Sequence, residues 1–328
     1  MDDAKLISEA EKAFSVERLL VAAKLLGKVQ DKSLLRDEHR SILKWAEITE
    51  TSMRTLLQSP EEDGSPWIKQ CEKHGHRDFF VYYQVDEQHH LTSRIDCAIE
   101  SSLLLPILSV FNESDLYGTW MPSWKRPFKL GIQESCKLKE TGRGNQIIKV
   151  SVAMPFPVKT RETVQHAVAV DVIEEEGAIA IQVLSETTED DPIIPEPSRG
   201  VVRIDFECSI LIRACPPDHP CLAKSKHEYP EGEELILMSL KMKVDSKVSY
   251  VPLGLINFVT HAALGTMWSV LLSVAEEVQD GKGPLHQEMI DEKRELHNWV
   301  NARVGVMIEK MKSSDQVDKS NRQMSNSH

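Results

Sequence analysis

Apolar residues recur at helical spacing from Lys5 to Gln58, a stretch with no proline and one glycine, Gly27. Leu6, Ala10, Ala13 and Phe14 lead to Leu19, Ala23, Leu26 and Val29, and a second run carries Leu34, Leu35, Ile42, Leu43, Ala46, Met53, Leu56 and Leu57. This spacing predicts two or three short amphipathic helices that turn near Gly27 and again at 31–33, with Ser33 placed to cap the next helix. Residues 59–66, SPEEDGSP, interrupt the pattern as a linker.

Beyond the linker the period shortens to two. A short helix is expected near Trp67, then strands around 79–85 and 91–99, and a helix over 101–111 in which Pro106 marks a kink. Further strands are expected around 131–139, 146–154, 163–173, 178–185, 201–212 and 234–244. Thr141-Gly142-Arg143-Gly144-Asn145, Glu174-Glu175-Glu176-Gly177 and Tyr229-Pro230-Glu231-Gly232 mark their turns. Residues 285–312 read as an amphipathic helix carrying Met289, Leu296, Trp299, Val300, Val304, Met307 and Met311, and the polar stretch 313–328 is expected to be disordered. The resulting division is 1–58 (helical module), 59–66 (linker), 67–280 (main domain), 281–312 (amphipathic helix) and 313–328 (tail). The break at 59–66 predicts that the first module can be removed without unfolding the rest.

Leu253 to Ala275 contains no charged residue and is long enough to span a bilayer as a helix. Asn257, Thr260, His261, Thr266, Ser269 and Ser273 recur through it, and no strong basic cluster flanks it to set an orientation. A helix buried against a sheet fits this pattern better than a membrane span.

Charge and cysteine usage narrow the class. A formal charge of −12 argues against broad nucleic-acid binding, which needs a cationic surface. Lys125, Arg126 and Lys129 form a local basic spot that reads as a solvated loop. No secretory signal opens the chain, so the expected location is cytoplasmic, with peripheral membrane contact, and the six cysteines are expected to be reduced. Cys215-Pro-Pro-Asp-His-Pro-Cys221 matches no common zinc spacing and reads as a strand connection. Neither a metal nor a cofactor is expected, for there is no phosphate loop, dinucleotide fingerprint, HExxH or Gly-x-Ser-x-Gly.

Three features, taken together, resemble a START (StAR-related lipid transfer) domain over roughly Trp67 to Val278. They are the run Asp115-Leu116-Tyr117-Gly118-Thr119-Trp120 after a helix, the loop PFPVKTRE ahead of a strand with Arg161-Glu162 where the family commonly has Arg-Asp, and the long apolar helix after the last strand. The resemblance implies an α+β helix-grip fold, a curved antiparallel sheet wrapped around a long C-terminal helix. It also implies an intracellular lipid-binding or lipid-transfer protein, with one lipid held between sheet and helix and no catalytic residues. Sterols, phospholipids and ceramides all remain open as ligand. Two rival readings stand beside it. One is a helix-grip cyclase-like enzyme, for which Arg203, Asp205 and Glu207 are the only charged cluster worth testing. The other is an interaction scaffold whose N-terminal helices dock a protein partner.

Candidate cavity residues are Val150, Val152, Val164, Gln165, His166, Val168, Phe206, Met238, Leu240, Val259, Ala263 and Met267. Strand parity over 163–172 stays open: alternation turns Val164, His166, Val168, Val170 and Val172 inward, whereas the resemblance turns Gln165 and Ala167 inward. Candidate gate residues are Pro155, Phe156, Pro157 and Val158 in an apolar loop, with Leu253, Leu255 and Ile256 at the start of the long helix; this loop is also the expected place of transient membrane contact.

Overall fold

The computed structural model describes residues 2–325 apart from 63–64, 74–76, 88–89, 127–128, 155, 157, 190, 224–228, 231, 246, 248–253 and 255–257. The chain opens with α1 (Asp3–Ser15), α2 (Leu19–Gly27) and α3 (Asp37–Leu57). The Asp3 carboxylate in the first turn of α1 accepts the N–H groups of Gln30 (3.1 Å) and Asp31 (2.9 Å), which pins the exit of α2 back on α1. Asp31, rather than Ser33, does the capping: its carboxylate accepts from Ser33 N–H at 3.0 Å and closes a 3-10 turn ahead of α3.

The strands are β1 (Ile68–Lys73), β2 (Phe79–Val85), β3 (Leu91–Glu100), β4 (Gly131–Gly142), β5 (Asn145–Ala153), β6 (Arg161–Val172), β7 (Ala178–Ser185), β8 (Val202–Arg203), β9 (Asp205–Ala214) and β10 (Leu235–Asp245). Between them lie α4 (Leu104–Asn112) and the single turns α5 (Tyr117–Trp120), α6 (Ile173–Glu176) and α7 (Pro220–Ala223). The sheet runs β1-β2-β3-β10-β9-β7-β6-β5-β4 with antiparallel neighbours, and β8 pairs in parallel with β6. Residues 68–73, expected to be helical, form the edge strand β1, because β2 leaves a backbone edge that they pair against with one register shift. The strand expected over 201–212 is split at Ile204 into β8 and β9.

A π-helix over Phe258–Ala263 leads into α8 (Leu264–Gln279), followed by α9 (Pro284–Glu292) and α10 (Arg294–Ser325). The backbone stays helical through Ser325 where disorder was expected; no glycine or proline follows Gly305 to stop it. Among the described residues no helix is long and apolar enough to cross a membrane.

The sheet is covered on both faces. On the convex face, α1–α3 share one core with β6, β7 and β9: Leu6, Leu20, Leu26, Ile42 and Met53 pack with Val168, Val170, Val172, Ala178, Ala180 and Leu211. Arg94 fastens this cover. It donates to the carbonyls of Leu56 (3.0 Å) and Gln58 (2.8 Å) at the end of α3, while its Nε holds the Asp96 carboxylate at 3.0 Å. Arg18–Glu175 (2.6 Å) and Gln182–Ser52 (2.6 Å) add two further ties. The turn cluster near residue 60 therefore marks a change of secondary structure and not a gap between cores.

Candidate functional site

The concave face follows from register, because residues paired across antiparallel strands point the same way. Val150 and Val152 of β5 pair with Thr163 and Arg161 of β6. Ala167, Ala169 and Asp171 continue that face and pair with Val183, Ile181 and Ile179 of β7. It runs on through Cys208, Ile210 and Ile212 of β9 to Met238 and Leu240 of β10, then to Ile95 and Cys97 of β3. Val150, Val152, Gln165, Phe206, Met238 and Leu240 thus share the concave side.

Val164, His166 and Val168 lie on the other side, and the inward placement suggested by alternation is corrected. Val164 packs with Ile147 and Ile194. His166 stands edge-on to Trp45 at 5.1 Å, with Nε2 2.8 Å from the Thr141 hydroxyl and Nδ1 2.9 Å from Glu186. Val168 packs under the N-terminal helices. The cause is that both faces of β6 are covered, so the larger alternate set marks the more densely packed face and not the concave one.

Helix α8 lies over the concave face. Leu264, Trp268, Leu271, Leu272, Ala275 and Val278 are buried in one cluster with Ile95, Ile210, Ile212, Met238 and Leu240, and Leu104, Ile107 and Val110 of α4 join them. Ala263 is buried, and Val259 and Met267 pack against the same cluster from the start of the lid. The end of α8 is locked: Arg77, 5% exposed, holds Glu100 bidentately (2.6 and 3.0 Å) and reaches Glu276 with its remaining arm.

The opposite end holds the gate candidates. Phe156 is 97% exposed and Val158 half-buried, while Pro155, Pro157, Leu253, Leu255 and Ile256 lie outside the described residues. Arg161, buried at this end of β6, donates to the Lys159 carbonyl at 2.8 Å, and burial pushes its guanidinium pKa down. Glu162 turns to the convex side and accepts from Arg203 at 2.8 Å. In the DLYGTW run, the Asp115 carboxylate accepts Lys137 N–H at 2.8 Å and Tyr117 donates to the Phe111 carbonyl at 2.6 Å, so these residues anchor β4 and α4.

At the end bearing the β4–β5 and β6–β7 turns, α10 crosses the concave face and leaves a pocket of about 110 Å³. Its walls are apolar: Leu108 and Phe111 of α4, Ala167 and Ala169 of β6, Ile179 and Ile181 of β7, Leu296 and Val300 of α10. Polar groups also line it. The Ser109 hydroxyl donates to Leu105 O at 2.9 Å and therefore accepts from His297 Nδ1 at 3.2 Å. Gln146 donates to Asn112 O and accepts from Ser114. Asp171 holds Arg303, and Glu17 sits at the rim with φ +64; outside the lining, Arg143 lies 5.0 Å over the Trp299 ring. The sequence offered little notice of this group, since Glu17, Ser109, Gln146 and His297 come from four separate segments with no shared motif.

Little here suits covalent chemistry. Burial pushes the Cys97 and Cys208 thiols up to about 12, which keeps them from acting as thiolates at neutral pH. Among the described residues no cluster of His, Cys, Asp or Glu is arranged to hold a metal ion. Arg203, Asp205 and Glu207 form no joint site, as Arg203 pairs with Glu162, Asp205 pairs with Lys247, and Glu207 lies on the convex face.

Solved structures of similar architecture include human STARD10, 14% identical, with a TM-score of 0.50 over 72% of this chain and 81% of that one. A STAR-related lipid transfer protein fragment from Xanthomonas axonopodis is 17% identical, with a TM-score of 0.45 over 64% of this chain and 99% of its own. The lipid transfer and protein localization domain of human StarD13 is 12% identical, with a TM-score of 0.40 over 74% and 95%. No protein-family model and no curated protein sequence matches the chain. At these identities the likeness is one of fold: the chain has the α+β helix-grip architecture of START domains.

Proposed function

We propose that this protein binds one lipid between the concave face of the sheet and the helices that cover it, and carries it between membranes without chemical change. The observation behind this reading is an apolar concave face contributed by the neighbouring strands β3, β10, β9 and β7, closed by a separate helix and with a pocket beside it. A sheet face of that size is buried only under a cover, and a cover joined to the sheet through loops is the element least costly to move. The exposed Phe156 at the open end of β5 and β6 is the point of membrane contact, and the place of action is the cytoplasm, where its cysteines stay reduced. The N-terminal helices, with Phe14, Val16 and Leu34 exposed, are the surface for any protein partner.

Mass spectrometry of what co-purifies with the recombinant chain, followed by uptake from labelled vesicles, tests the proposal. One stoichiometric lipid, exchanged between vesicles and recovered unaltered, is the expected result. An empty protein that extracts nothing from vesicles of any composition would falsify it, and a chemically altered lipid would favour the enzyme reading.

A further inference from the structure

We infer that the pocket under α10 receives the polar end of the bound lipid, and that this end is a small hydrogen-bond donor, a hydroxyl or an amine; the assignment rests on the lipid-binding reading and names the class of lipid. Two residues that line this pocket carry an acceptor with no donor among the described residues. His297 is 8% exposed, and with Nδ1–H spent on Ser109 its Nε2 is a buried acceptor left without a partner. Burial holds the imidazole pKa below its ordinary value, so the ring stays neutral and Nε2 keeps its lone pair. Glu17 lines the rim, half-buried, and among the described residues its carboxylate has no hydrogen bond or ion pair. Burial raises its pKa against the pull of Arg143. It also holds a left-handed backbone, which is costly for a residue with a side chain and tends to persist where a site needs it.

Arg303 is bound by Asp171 and Glu174, and Gln146 has both ends of its amide bonded. Inside this pocket an anionic head would meet the carboxylates of Glu17 and Asp171, and the one arginine among the described lining residues, Arg303, is already bound. The apolar walls at Ala167, Ala169, Ile179 and Ile181 belong to the concave face itself, so the tail of such a lipid leads away along the sheet beneath α8.

The test uses the full-length chain and phosphatidylcholine vesicles doped separately with a fluorescent sterol, a diacylglycerol, a long-chain amine, a long-chain fatty acid or pyrene-labelled phosphatidylcholine. At least one of the first three should be taken up, in preference to the last two by about tenfold or more, as expected when a buried acceptor is otherwise left unpaired. His297→Phe and Glu17→Leu should each weaken that uptake by about tenfold, whereas His297→Gln, which keeps an acceptor, should lose less. Ala167→Leu fills the pocket from a wall that has room and should abolish uptake while the thermal transition is retained. Preference for the phospholipid or the fatty acid, or uptake indifferent to both Ala167→Leu and Glu17→Leu, overturns the assignment and leaves lipid binding standing. Uptake of none of the five overturns both.

Discussion

The two faces of one sheet are covered in different ways. The convex cover, α1–α3, is bolted to backbone: Arg94 holds carbonyls at the end of α3, and Val168, Val170 and Val172 interdigitate with the helices. The concave cover is held at its far end by the side chains of Arg77, Glu100 and Glu276, and it begins in a π-helix, a rare geometry often found where a helix serves function. Beside it, α9 and α10 bury two histidines, His286 and His297, each with an Nε2 that finds no partner among the described residues. Unpaired buried polar atoms occur on the convex side as well, at Ser239 Oγ and Arg213 Nε, so the two covers differ in how they are fastened and not in how completely their polar groups are met.

The harshest way to break the contrast is to remove residues 1–58. Fully burying one Val or Leu contributes about 1.5–3 kcal/mol, and six sheet residues, Val168, Val170, Val172, Ala178, Ala180 and Leu211, would lose their cover. The sum approaches the whole stability of an ordinary domain, about 5–15 kcal/mol. The shortened chain should be insoluble or lack a cooperative melt, contrary to what the break at 59–66 suggests. A soluble product with a sharp transition would mean that the convex face tolerates water.

A single bolt comes next. Arg94→Met leaves Asp96, 1% exposed, without its partner and should cost about 3–5 kcal/mol in denaturant unfolding. Arg77→Met should cost a similar amount, and hydrogen exchange should separate the two: α3 amides lose protection in the first variant and α8 amides in the second. The same amides opening in both would erase the distinction between covers.

Acidification sharpens the comparison with a smaller effect. Burial lowers the pKa of His286 and His297 below the ordinary 6.5, although Glu113 pulls both upward, Glu277 also raises His286, and Lys293 adds to the lowering of His297. A depressed histidine favours folding above its unfolded pKa, and that contribution is lost as pH falls through the folded value. Stability should therefore drop below about pH 6.5, and a His286→Phe/His297→Phe variant should show a shallower drop. His219, also lowered by burial on the convex side, acts in the same direction. An unchanged slope in the double variant would place the acid sensitivity elsewhere.

The smallest effect on stability belongs to Phe156→Ser. At 97% exposed it should shift the melting free energy by no more than about 0.5 kcal/mol, yet sedimentation with phosphatidylcholine vesicles should fall several-fold. Equal sedimentation would show that membrane contact does not use this loop.

Much of this was legible in the chain itself. Period-two runs and marked turns gave most strands close to their observed limits, and helical spacing gave α1–α3 and α4, because local periodicity follows from backbone geometry alone; the single helix expected over 285–312 is instead broken at Lys293 into α9 and α10. An uncharged stretch with polar residues scattered along it pointed to a buried lid, and α8 lies where that stretch ends. Residues 68–73 defeated the same reading, since an edge strand needs only a neighbour with a free backbone edge.

What the sequence determined by itself was the order of elements and their two-sided character. Only the tertiary structure decided which side of β6 faces the lid, for Val168 and Val170 carry more apolar bulk than Ala167 and Ala169, yet the valines pack under α1–α3 and the alanines line the pocket. Alternation records that a strand has two faces, and packing assigns them. The pocket itself lay further out of reach. Glu17, Ser109 and His297 stand far apart in the chain, and they meet only because α10 folds back across the end of the sheet and brings three unrelated segments to one apolar space.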